Sequence, residues 1–173
     1  MNIIYGCHIA NSILKKSSKD KIHITPLKLN CLLYLLYSEY LYLTGESLFN
    51  ETFIKTTKGP IVPSVYYNLI SYEKTLINNY IKDAKCKVIY VKDGIFDECL
   101  NYICEKYKNK SVDDILSYIE DGNEYSKKNN EEQLNDIDIL KDILTRKEKE
   151  LENAKSYIKK LTLSKKITTD KRK

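Results

Sequence analysis

A chain of 173 residues, 42% of them apolar, is long enough for one compact domain with its own core and too apolar to be disordered. No run of 18 apolar residues exists, and Met1 to Cys7 lacks the basic start and apolar stretch of a secretion signal, so no membrane span and a cytoplasmic address are expected. The net charge of +5 sits at one end: residues 159–173 carry +6, which leaves the preceding 158 residues at −1.

The first predicted helix covers Tyr5 to Lys16, where Ile9, Ala10, Ile13 and Leu14 recur at helical spacing, and the polar run Ser17 to Asp20 is expected to end it. Thr25-Pro26 then reads as a helix start, with threonine as cap and proline at the first helical position. Leu29, Leu32, Leu33, Leu36, Tyr37, Tyr40 and Leu41 give that helix a broad apolar stripe, so it should be the central core helix. Gly45 suits the left-handed cap that would close it.

Phe49 to Lys58 is read as a strand or extended segment. Gly59-Pro60-Ile61-Val62-Pro63 can be neither ordinary helix nor central strand, because each proline removes an amide donor and restricts the residue before it, and it is read as a rigid turn. Ser64 would cap a helix holding Val65, Tyr66, Leu69 and Ile70. Cys86 to Val91 is a second strand candidate, with Asp93-Gly94 as the turn after it. Helices are expected again at Ile95 to Tyr107 and, behind a Ser111 cap, at Val112 to Ile119.

Beyond Asn123 the composition turns polar and a long helical pattern follows. Ile137, Leu144, Leu151 and Ile158 recur every seven residues, with Leu140, Lys147, Ala154 and Leu161 three further on, a heptad seam interrupted by Lys147. This helix either packs on its own domain or forms a coiled coil, with a second copy through residues 137–161 or with another partner. The fold class expected is therefore mainly α: a compact helical domain with a small β element over residues 1–126, a long amphipathic helix over 127–163, and a flexible basic tail over 164–173. The tail is either a solvated end or a contact for nucleic acid.

Catalytic signatures are missing: no phosphate loop, no nucleophile elbow and no zinc-protease helix. His8 and His23 sit near apolar residues, where a structural histidine is expected. Five cysteines without paired spacing suggest buried reduced thiols, with no metal or cofactor and no enzyme activity.

Two segments carry a resemblance. One is Ile24-Thr25-Pro26-Leu27-Lys28-Leu29 with Leu32-Leu33-Tyr34; the other runs from Gly45 to Phe53 and on through Lys58-Gly59-Pro60-Ile61-Val62-Pro63-Ser64-Val65-Tyr66. In order and separation they resemble the Panacea domain of SocA-like, phage-associated antitoxins, over about residues 1–126. Asn30-Cys31 stands where the family often has Gln-Lys. The resemblance implies an antitoxin that neutralises a cognate toxin by direct binding, and some relatives are thought to deliver a toxin to a protease.

Partner contacts are expected at Lys28, Tyr34, Gly59, Pro60, Val62, Pro63, Tyr66 and Tyr67, and on the long helix at Leu144 and Leu151. A stiff turn loses little entropy on binding, and tyrosines supply large amphipathic contacts. Tyr66 alternatively fills the core, and Lys28 alternatively is a surface lysine laying its stem on the helix. A nucleic-acid-binding regulator and an oligomerisation adaptor are the other classes the sequence admits.

Overall fold

The computed structural model describes residues 3–82 and 94–170, with side chains up to residue 160. In chain order the elements are α1 (Gly6–Lys19), α2 (Pro26–Thr44), β1 (Phe53–Thr56), β2 (Gly59–Ile61), α3 (Pro63–Leu69) with a 3₁₀ turn at Ile70–Tyr72, α4 (Gly94–Tyr107), α5 (Val112–Glu120), α6 (Asn123–Lys127), β3 (Gln133–Leu134) and α7 (Asp136–Asp170). The protein is mainly α, with a three-stranded antiparallel sheet ordered β2-β1-β3. The Cys86 to Val91 strand expected from sequence lies outside the described residues, and Gly94 opens α4.

α2 is the axis of the fold. The Thr25 hydroxyl accepts the Lys28 amide at 3.3 Å, Pro26 stands at the first position, and Gly45 closes the helix at φ +71° by donating to the Leu41 carbonyl at 2.8 Å. Between these caps almost every residue is buried, because α1, α3, α4, α5, α7 and β2 all pack on it. Such all-round burial demands a helix apolar on every side, and this segment supplies it.

α1 runs three residues further than the polar run Ser17 to Asp20 suggested. Ser17 faces the interior, while Lys16 and Asp20 form an ion pair one turn apart at 2.8 Å on the solvent side. Small polar residues at a buried helix end do not stop a helix when the next turn can still be satisfied.

Gly59 to Pro63 is not a free-standing turn. The chain reverses at Thr57-Lys58, and Gly59–Ile61 returns as an edge strand whose partners are Thr56, Lys55 and Ile54. Pro60 is tolerated because it faces Lys55, whose own amide and carbonyl bond to Glu132 and Glu131 on the other side, at 3.0 and 2.8 Å. Gly59 is required on two counts: its φ is +123°, and a Cβ there would lie 2.5 Å from Leu116 Cδ2. The next helix begins earlier than a Ser64 cap implied, with Val62 at its N-cap and Pro63 as its first residue.

α5 starts as its sequence indicates: the Ser111 hydroxyl accepts the Asp114 amide at 3.1 Å, and the Asp114 carboxylate accepts the Ser111 amide at 3.1 Å. α6 precedes, and β3 falls within, the stretch expected to be helical from residue 127. α7 therefore begins at Asp136 rather than 127, and its backbone stays helical through Asp170, into the segment expected to be a flexible tail.

The face of α7 that packs on the body is offset from the heptad seam. Asp138, Ile139, Asp142, Ile143 and Arg146 are buried, whereas Leu144 and Leu151 are 44% and 55% exposed and every residue of 151–160 is exposed. The body offers α7 the open start of α6 and two tyrosine faces, which favour a polar packing surface. Leu134 and Ile139 share one core with α1, α2 and α4.

Candidate partner-binding site

Ile54 and Ile61 are cross-strand partners on the hairpin, on the face opposite Phe53. Phe53 instead points inward and meets the rings of Tyr34, Tyr37 and Phe49 at 5.2, 5.3 and 5.6 Å. Because Pro63 starts α3 directly after β2, Tyr66 and Tyr67 come round one turn later beside the same face. The result is a groove of about 420 Å³ walled by Ile54, Ile61, Pro63, Tyr66 and Tyr67, with Lys58 and Glu131 among its charged lining. The two tyrosine rings stand edge-to-face at 5.7 Å, and Tyr67 is 67% exposed.

The walls are fixed from below. Asn30, fully buried on α2, accepts the Val62 amide at 3.2 Å and donates to the Pro26 carbonyl at 3.0 Å. Lys55 donates to the carbonyls of Tyr125 and Lys128 at 2.9 and 2.8 Å, with its ammonium 4.8 Å from the Tyr125 ring. The Glu51 carboxylate joins the Gly6 amide at the start of α1 to the Ser64 hydroxyl on α3. A groove with such supports gives a partner's apolar side chains a preformed seat.

Of the residues singled out by sequence, Pro63, Tyr66 and Tyr67 meet at this groove, Tyr66 half-buried. Gly59, Pro60 and Val62 lie buried beside it and shape the hairpin. Tyr34 lies fully buried against Phe53 and Tyr125, and burial pushes its phenol well above the ordinary tyrosine range. Lys28 is not a surface lysine: it is 8% exposed, and its ammonium donates to the Lys108 and Lys110 carbonyls at 3.2 and 3.0 Å, joining α2 to the end of α4. Burial lowers its pKa. Leu144 and Leu151 belong to the outward face of α7 and do not line the groove.

His8 accepts the Tyr5 amide through Nδ1 at 3.2 Å, whereas His23 is exposed rather than set among apolar residues. Cys7, Cys31, Cys99 and Cys104 are buried, and burial pushes the Cys31 thiol up to about 12. Among the described residues no group of three or more His, Cys, Asp or Glu is placed to hold a metal ion, and no helix is long and apolar enough to cross a membrane.

Sequence reasoning missed Asp142 and Arg146. The Asp142 carboxylate accepts the amides of Glu124 and Tyr125 at 2.7 and 2.8 Å, satisfying the start of α6 from outside that helix. Gly122 makes room for it, since a Cβ there would lie 2.6 Å from Asp142 Cγ. One turn on, Arg146 is 1% exposed, its guanidinium carbon 5.8 and 5.5 Å from the Tyr34 and Tyr118 ring centres, and none of its nitrogens finds a hydrogen-bond partner among the described residues. The signal was the spacing Ile139-Asp142-Ile143-Arg146, a helical face hidden by the more apolar seam beside it.

A family model described as antitoxin SocA-like, Panacea domain, matches residues 29–126. That stretch runs from α2 into α6 and contains every residue lining the groove except Glu131. No curated protein and no solved structure matches the chain.

Proposed function

The chain belongs to the SocA-like antitoxin, Panacea domain family, and from that premise we propose that it neutralises a cognate toxin by binding it directly, without catalysis. The observation that carries the reading is the groove between the hairpin and α3, which lies within the matched stretch. An exposed tyrosine, a half-buried tyrosine and a proline converge there on a support tied by Asn30, Lys55 and Glu51. Aromatic anchors at a groove that a partner would close off from water are the residues that dominate protein–protein affinity, and Lys58 and Glu131 add charges that orient a partner. Truncating such an anchor costs about 2 kcal/mol or more, which is a loss of roughly thirtyfold in affinity.

Growth of a bacterial host expressing the neighbouring gene, with and without this protein, tests the reading. Co-expression of the unaltered chain should restore growth, and Tyr66→Ala/Tyr67→Ala should not, while circular dichroism shows the variant folded. A neighbouring product that is harmless alone, or equally toxic in the presence of this protein, contradicts the proposal.

A further inference from the structure

We propose that α7 pairs with α7 of a second copy as an antiparallel coiled coil, in the register that sets Leu151 against the partner's Ala154 and Glu148 against the partner's Lys155. Residues 151–160 extend beyond the body with every side chain exposed, yet remain helical. Helices with no tertiary face are marginal in water, so this stretch calls for a packing partner. Its heptad row of Leu144, Leu151 and Ile158 is exposed, and the seam continues onto the body, where Lys147 is paired with Glu39 at 2.9 Å and holds its ammonium 4.8 Å from the exposed Tyr42 ring, next to exposed Leu43.

Charge identifies the occupant as the chain itself. The row flanking the seam on the solvent side reads Lys141, Glu148, Lys155, alternating in sign every seven residues. In an antiparallel coiled coil this row faces its own copy. The proposed register forms the Glu148–Lys155 pair twice by symmetry. Sliding by one heptad in one direction sets Glu148 against Glu148 of the partner subunit; sliding in the other sets Lys155 against Lys155 of the partner subunit. A parallel pairing would align Lys147 with its own copy. It would also offer Lys155 only Glu150, whose carboxylate is already held by Lys106 at 2.7 Å. The present partner of Lys155, Glu152, is an exposed pair three residues away that contributes little.

Sedimentation equilibrium of the full chain tests the pairing. The expected mass is twice 20.3 kDa. Leu144→Glu/Leu151→Glu should give the single-chain mass with the thermal unfolding of the body unchanged. Glu148→Lys and Lys155→Glu should each weaken dimerisation roughly tenfold, and the two together should restore it. A single-chain mass for the unaltered protein at every concentration overturns the proposal, as does a dimer indifferent to Leu144→Glu/Leu151→Glu. Charge reversals that fail to rescue one another overturn the register. Tyr67→Ala should leave the mass unchanged, which separates this interface from the groove.

Discussion

α2 is buried on nearly every side, through Leu29, Leu33, Leu36 and Tyr40 on one face and Cys31, Leu35 and Ser38 on the opposite one, whereas α7 sits on the same body through Asp142 and Arg146 and turns Leu144 and Leu151 outward. Apolar burial draws α2 into the core without fixing its rotation closely, and its caps and neighbours do that. Two amide hydrogen bonds to one carboxylate fix α7 in a single rotation, because they are directional. An apolar stripe marks where a helix can adhere, and what it adheres to is decided elsewhere.

The largest expected effect lies in α2. Leu33→Ala should cost about 3 kcal/mol, from lost transfer energy plus a cavity that the surrounding helices cannot close, as read by urea unfolding. A loss under 1 kcal/mol would remove α2 from the centre of the fold. Asp142→Ala should cost about 2 kcal/mol by leaving the Glu124 and Tyr125 amides without their acceptor. If it proves neutral, α7 is held by its apolar residues after all and the contrast with α2 disappears.

Lys28→Met should cost about 1 kcal/mol, through two carbonyls at the end of α4 that lose their donor. In dilute protein, Leu144→Ala should change stability by no more than about 0.5 kcal/mol, as an exposed position does. The smallest effect is a pH dependence at the start of α5. The Ser111 hydroxyl and amide hold the Asp114 carboxyl below its ordinary value, so its contribution is present above the unfolded carboxylate pKa and fades as pH falls through the lower folded one. A small stability gap between the unaltered chain and Asp114→Asn at neutral pH should therefore close in acid.

Much of this architecture was legible in the residues themselves. Thr25-Pro26 and Gly45 bracket α2, Ser111 starts α5, and the aromatic and leucine pattern of α2 states that it is central, because capping and burial are local or periodic properties. What stayed hidden is set by contacts distant in sequence. Gly59-Pro60 reads as a turn until the Lys55 backbone is seen to bond Glu131 and Glu132, just before β3, which leaves the proline harmless in an edge strand. Lys28 reads as a surface residue until the end of α4 comes round to meet its ammonium. The packing face of α7 was masked because Asp142 and Arg146 look solvent-facing in a charged helix, and their partners stand on α6, α2 and α5. At the groove, Tyr66, Tyr67 and Pro63 are residues the sequence singles out, while Ile54 enters through strand register and Glu131 through the bond of its amide to the Lys55 carbonyl.

Toxin binding at the groove is read most directly from the affinity of the purified chain for the purified product of the neighbouring gene, measured by calorimetric titration alongside Tyr67→Ala. A saturable complex weakened roughly thirtyfold or more by that change, with the variant's fold intact, is the predicted result. No complex, or a complex of unchanged affinity, would contradict toxin binding at the groove.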